Sequence, residues 1–335
     1  MQQRRARWAI IASMLLGLAG LSPLPTAAQP TAEEILGDMH WPPAEKAKIL
    51  AGEFVNSSIE NVSARDLSVA IGFQVRVSPA ELAKQVVAGL TIHADAQVAA
   101  HGQIRGNGSA RDFQGMTLSD AAADAFLQAT PGSDLNLSSD EIAAFRASSA
   151  QADPRTAALA QLQKILLTRH ATYRTSGLDG IAPYDRGHET RSGGEDLRKA
   201  SASMTVVKRR FAAFYEMMNG YPGATVPGMH ERFSWIQYGT GIKANYVVEQ
   251  LVTANVDEVH AVLQRQIYAS QGYNVEQAVA GLFPVDEGTL VVYVNHTSTD
   301  QVAGFGGSAK RSIGTKMMVS QLEKMFEGAR KIAEQ

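Results

Sequence analysis

The chain has 335 residues, of which 45% are hydrophobic and 19% charged, enough apolar material for a substantial core and too much for a disordered chain. A formal net charge of -2 lacks the basic field that a general nucleic-acid binder needs. With no cysteine, the protein has no disulfide, thiol nucleophile, thiolate zinc site, covalent haem attachment or lipidated cysteine.

Arg4, Arg5 and Arg7 precede an apolar stretch from Trp8 to Leu21, which is followed by Pro23, Pro25 and the small-residue site Thr26-Ala27-Ala28. This order predicts a secretory signal peptide over residues 1–28, cleaved near Ala28, and so a periplasmic or secreted protein. The stretch is shorter than the roughly 20 residues of a membrane-spanning helix. No later run approaches that length, so no transmembrane segment is expected after signal removal. Residues 29–335 read as a single α+β domain.

Thr31 and Glu34 form a capping-box pattern, and Ala44 to Ala51 reads as a short helix ended by Gly52. Val69, Ile71, Phe73, Val75 and Val77 alternate with Ala70, Gly72, Gln74 and Arg76, the period of a strand. Ser78-Pro79 then caps a helix from Ala80 to Ala88, which Gly89 closes. Thr91 to Gly108 is small and polar, a weak strand at most. Helices are expected over Met116–Phe126, from Ser138 onward, over Pro154–Tyr173 and over Glu195–Asn219. An irregular polar loop, Ile181 to Gly194, separates the last two.

The character changes after about Met229. Arg232–Tyr238, Ala244–Val256 and Leu290–Asn295 are β-type runs, Glu276–Phe283 reads as a strand, and Val262–Ala269 fits either state. Ser308 to Ala333 is a long amphipathic helix, expected to kink near Gly314, with Met317, Met318, Leu322, Met325 and Phe326 as its apolar stripe. The expected fold is α+β: an antiparallel sheet packed on a long C-terminal helix, with a large helical insertion at about 110–220.

This order of elements resembles the helix-grip fold of START and Bet v1-like lipid-binding domains. Val69 to Ala88 resembles the opening strand and helix, and Arg232 to Gln335 the sheet and final helix. The resemblance implies a curved sheet closing on the last helix around a hollow. A second resemblance rests on Arg265-Gln-Ile-Tyr-Ala-Ser270, Gly272-Tyr-Asn274 and Asn295-His-Thr-Ser-Thr-Asp-Gln-Val-Ala-Gly-Phe-Gly-Gly307 with Lys310-Arg311. These stretches are similar to a group of exported bacterial proteins of unknown function, which implies no chemistry.

Several residue groups are candidates for a site. The Gly-rich run from Thr299 to Ser308, followed by Lys310 and Arg311, reads either as an anionic head-group site at a helix start or as a tight strand-to-helix connection. Tyr184, Asp185, Arg186 and His188 share one loop, where Asp185 and His188 are either a base and its orienting group or partners in a loop that bonds to itself. His296, Ser298 and Asp300 alternate along a strand about 7 Å apart at each step, too far for direct hydrogen bonds. No Gly-x-Ser-x-Gly elbow occurs, so a hydrolytic triad is not expected from them. The eight histidines show no paired metal-ligand spacing, so neither metal nor cofactor is expected. Trp235, Tyr238, Tyr246, Tyr268 and Tyr273 line an apolar cavity or simply pack the sheet.

The leading expectation is a periplasmic binding protein for a lipid or other apolar or amphipathic small molecule. Its ligand-binding residues are drawn from Tyr184, Arg186, Trp235, Tyr246, Tyr268, Tyr273, Asn295, Asp300, Lys310 and Arg311. A hollow of about 300 Å³ or more between sheet and last helix would accommodate such a ligand. One alternative is a hydrolase-like or other enzyme built from the 184–188 loop and the 295–300 strand. Another is a structural subunit of an envelope complex, with an envelope protein as partner and an apolar patch on the C-terminal helix.

Overall fold

The computed structural model of the chain describes residues 30–256 and 259–335. The expected signal peptide lies outside the described residues. Helices α1 (Ala32–Asp38) and α2 (Pro43–Leu50) precede a short strand β1 (Val55–Ser57) and the long β2 (Asp66–Val75). Helices α3 (Pro79–Ala88) and α4 (Leu90–Ala94) lead to β3 (Val98–Ile104). A helical region follows, with α5 (Asp120–Leu127), α6 (Ser139–Ser148) and α7 (Pro154–Ser176). The small hairpin β4 (Tyr184–Asp185) and β5 (Thr190–Arg191) then gives way to α8 (Gly193–Ser203), α9 (Thr205–Arg210) and α10 (Ala212–Gly220). Strands β6 (His230–Tyr238), β7 (Asn245–Val256), β8 (Val259–Ala269), β9 (Val275–Val285) and β10 (Gly288–Ser298) run to the terminal helix α11 (Gly307–Ala333).

Eight strands form one antiparallel sheet in the order β1-β2-β10-β9-β8-β7-β6-β3. Strands β6 to β10 are a meander, flanked by β2 beside β10, with β1 outside it, and by β3 beside β6. Because β2 and β3 lie on opposite flanks, α3 and α4 must cross the sheet to join them. Local chemistry sets that crossing. The Ser78 hydroxyl accepts the Glu81 N–H, Pro79 opens α3, and Gly89 at φ +104° ends it in a conformation that favours glycine.

Helices cover both faces of the sheet, where a single long helix on one face was expected. On one face, α3, α4 and the C-terminal half of α11 place Leu82, Leu90, Phe326 and Ala329 over Phe73, Leu251, Leu282 and Val291. On the other, α5 to α7 pack over Trp235, Tyr246, Val248 and Tyr268, while α1, α2 and α10 pack over Val252, Leu263, Val279 and Leu290. Strand β2 is therefore buried along nearly its whole length. Its large–small alternation selects between two protein layers rather than between core and water. Gly72 is part of that selection, since a Cβ there would lie 2.7 Å from Ile49 Cδ1 of α2.

Other sequence expectations are corrected in detail. The helix expected over Glu195–Asn219 is three helices, broken at Met204 and Phe211, whose backbones leave the helical region. The breaks let Met204, Phe211, Phe214 and Met218 all enter one cluster. Helix α11 is not interrupted at Gly314, which lies against Leu67, so the glycine serves a close approach. The ambiguous run Val262–Ala269 is part of β8. Among the described residues no helix is long and apolar enough to cross a membrane.

Candidate functional site

Between the sheet and the helices α3 and α11 lies a half-open apolar cavity of about 60 Å³. Leu251, Val262, Leu282 and Val291 form its floor, and Leu82, Val86, Phe326 and Ala329 form its roof. The roof is firm at one end only. Phe326, Ala329 and Ala333 are the buried residues of α11, all in its C-terminal half, and Phe326 packs against Phe73 and Tyr293 at centroid distances of 5.0 and 4.9 Å. The N-terminal half of α11 buries no side chain, and Ile313 and Met317 are exposed there.

The cavity opens at Gln264 and Tyr293 onto polar side chains of the same sheet face. Glu249, Gln266, Glu276 and Thr297 stand opposite one another across β7, β8, β9 and β10. A register shift between Val248 and Glu249 leaves Ile267 as an extra residue of β8, so that Ile267 and Tyr268 both enter the helical layer while Gln266 turns to the cleft. Gln264 Nε2 donates to Glu249 Oε2 at 2.6 Å, and Thr297 Oγ1 lies 3.1 Å from Glu276 Oε2. Tyr273 donates to Gln266 Oε1, and Asn295 Nδ2 donates to Tyr293 Oη at 3.1 Å.

The electrostatics of this row follow from two carboxylates held away from bulk water. Burial raises the Glu249 carboxyl, with the Gln264 hydrogen bond opposing it. Burial pushes Glu276 up to about 7, with Thr297 opposing the rise and the Glu249 charge adding to it. Neither carboxylate is ion-paired among the described residues. Burial also drives the Tyr238, Tyr273 and Tyr293 phenols well above their ordinary range, so all three are neutral hydrogen-bonding groups.

The sequence-predicted residues divide between this cleft and other places. Tyr273 and Asn295 belong to the cleft. Tyr184, Trp235, Tyr246 and Tyr268 do not line it: all four are fully buried on the opposite face, in the cluster under α5 to α7. There the Arg169 guanidinium lies 4.3 Å from the Tyr268 ring centre and makes two bonds to Glu141, at 2.8 and 2.7 Å. Their strand positions point into that layer, so the aromatic run is core packing.

Arg186 and Asp300 do meet, at 3.0 Å, with Arg65 and Arg191 also on Asp300 at 2.8 and 3.4 Å. That knot ties the 184–191 hairpin to the end of β10. Asp185 instead bonds to Ser139 and to its own loop. Asn295 and His296 leave opposite faces of β10, so of these two only Asn295 faces the cleft. Gly304 and Gly306 have φ of +75° and +73°, a tight connection that requires glycine, while Lys310 is exposed and Arg311 bonds to Ala64 O at 3.0 Å.

Comparison with protein-family models, curated proteins and solved structures finds no match. The cleft therefore stands on its geometry. Sequence reasoning missed Glu249, Gln264, Gln266, Glu276 and Thr297. The available signal was their polarity inside otherwise apolar strands, where each breaks the local pattern at a position that faces protein.

Proposed function

We propose that the protein binds an amphipathic small molecule between the sheet and α11, with the apolar part over Val262, Leu282 and Val291 and a hydrogen-bond-donating head at Glu249 and Glu276. The observation that carries this reading is the continuity of an apolar, half-open cavity with a polar row holding two carboxylates that no cation pairs among the described residues. At about 60 Å³ the cavity is far smaller than the roughly 300 Å³ of a ligand pocket. Binding therefore requires α11 to move away from the sheet, and its N-terminal half, which has no fully buried side chain, is the part held less firmly. The element order supports the helix-grip resemblance: opening strand, crossing helix pair, antiparallel sheet and closing helix on one face, with residues 110–220 as a helical insertion. Export to the periplasm, with cleavage near Ala28, is part of the same proposal.

The test is a fluorescence titration with N-phenyl-1-naphthylamine. Saturable enhancement is expected, and it should disappear in Ala280→Trp, which fills the cleft. No enhancement, or equal enhancement in the filled variant, overturns the reading.

A second reading, attachment to an envelope protein partner, is favoured by the exposure of Phe305, Ile313 and Met317 at the start of α11. A photo-crosslinking residue in place of Ile313 should capture one discrete partner in cells. Its failure to do so removes that reading.

A further inference from the structure

On the face of β10 turned away from the cleft, three residues distant in sequence form one hydrogen-bonded chain. Ser203 is the last residue of α8, His296 lies on β10 and Asp66 opens β2. Ser203 Oγ stands 3.1 Å from His296 Nε2, and His296 Nδ1 stands 2.8 Å from Asp66 Oδ2. The imidazole and the carboxylate are almost entirely buried, with 3% and 2% of their side chains exposed, whereas Ser203 faces solvent.

Proton positions follow from the partners. Asp66 Oδ2 also accepts the Val62 N–H at 2.9 Å, so this oxygen is an acceptor on two sides. Nδ1 of His296 must then carry hydrogen, and in the neutral ring Nε2 presents its lone pair to Ser203. The Ser203 hydroxyl has a second acceptor, Ala200 O at 2.8 Å, and rotation about its Cβ–Oγ bond turns the proton from that carbonyl to Nε2. An exposed hydroxyl, a buried base and a carboxylate that fixes the tautomer of the base are the three roles of nucleophilic serine catalysis, which is recognised by geometry and not by chain order.

The triad does not come from the residues that the strand spacing brings to mind. Ser298 donates to Asp196, and Asp300 is held by arginines. The pairing of β2 with β10 supplies the acid, since it sets His296 opposite Ser68, two residues from Asp66. Helix α8 supplies the serine. The small cavity behind the imidazole, lined by Val62, Asp66, Asp196 and Ser298, is about 10 Å³ and offers no room for a long acyl chain.

We infer that Ser203, His296 and Asp66 form a catalytic triad that hydrolyses esters of short carboxylic acids at the protein surface. Ser203 Oγ bonds to the ester carbonyl carbon as its proton passes to His296 Nε2. The tetrahedral adduct collapses, the bond to the alcohol oxygen breaks, and the alcohol leaves with the proton from Nε2. Water then gives a proton to Nε2 and adds its oxygen to the acyl carbon. The carboxylic acid departs and the Ser203 hydroxyl is restored. Asp66 keeps its charge throughout and stabilises the transient imidazolium.

The full chain is treated with a fluorophosphonate probe, digested and analysed by mass spectrometry, in parallel with p-nitrophenyl acetate hydrolysis. The expected result is an adduct on Ser203, with labelling and hydrolysis each reduced about 100-fold or more in His296→Ala. Ser203→Ala, which removes only an exposed hydroxyl and should fold normally, must lose hydrolysis to the same extent; it keeps the inference testable if the histidine variant is unstable. An unlabelled Ser203 in folded protein, an adduct found only elsewhere, labelling independent of His296, or hydrolysis retained by Ser203→Ala each overturns the assignment.

Discussion

Glu276 gives a direct reading of the electrostatics of the cleft. Burial raises its carboxyl from the ordinary 4.5 to about 7, with Thr297 opposing the shift and Glu249 reinforcing it. The folded state therefore keeps a proton that the unfolded chain releases in the interval between those values. Below pH 4.5 both states are protonated and the site costs nothing. As pH rises through the interval the unfolded chain ionises first, and stability falls until the folded carboxyl also ionises near 7. A difference of 2.5 pH units at 1.36 kcal/mol each sets the full cost at about 3 kcal/mol above pH 7. Glu276→Gln keeps a group that can accept from Thr297 but carries no charge. Urea unfolding followed by tryptophan fluorescence, at pH values from 4.5 to 8.5, should show the variant close to wild type at the acid end and about 3 kcal/mol more stable at the alkaline end. If the two curves stay parallel across that range, Glu276 does not ionise in a desolvated cleft, and the proposed head-group site loses its chemistry.

Phe326→Ala removes the anchor of α11 between Phe73 and Tyr293, and urea unfolding should register a loss of about 3–5 kcal/mol. The enlarged cleft of that variant should also take up N-phenyl-1-naphthylamine more tightly. Arg169→Met leaves the Glu141 carboxylate without its two guanidinium bonds in a buried setting and should cost about 3 kcal/mol or more, while adding Glu141→Gln should restore part of the loss in a double-mutant cycle. Burial pushes the Asp300 carboxyl up, but Arg186, Arg191 and Arg65 outweigh it and hold the group below its ordinary 3.8. The stability it lends is thus present above that value and lost as pH falls through the lower, folded value; Asp300→Asn should remove it at neutral pH, which thermal unfolding at pH 7 and pH 3 can compare.

Where neighbours in the chain decide the structure, the sequence was sufficient. Thr31 with Glu34, and Ser78-Pro79 with Gly89, mark helix ends that the structure bears out, because a cap is made within three residues. The α+β class, the antiparallel sheet and the terminal helix followed from hydrophobic period. The division of β2 between two layers did not, because period reports that two faces differ without saying what covers each. The aromatics were misplaced for the same reason: Trp235, Tyr246 and Tyr268 share a face, and only the packing of α5 to α7 reveals that it is filled. The cleft row and the Ser203–His296–Asp66 chain were hidden for a stronger reason. Their members come from three or four separate elements, and a bulge at Ile267 alters which residues of β8 turn to the cleft.

Strand β10 carries both proposed sites and keeps them apart. Tyr293, Asn295 and Thr297 turn toward α11, while His296 and Ser298 turn toward α8. A slip of one residue in register would exchange the two sets, yet β2 and β9 pair with β10 along its length and fix it from both sides. A molecule in the cleft therefore has a whole sheet between it and the Ser203 hydroxyl. The two activities must then fail independently. Ala280→Trp should abolish dye uptake and leave fluorophosphonate labelling of Ser203 intact, and Ser203→Ala should do the reverse. A variant on either side that lost both while remaining folded would mean that the sites communicate through the strand they share, a coupling that the rigid two-sided pairing of β10 does not provide.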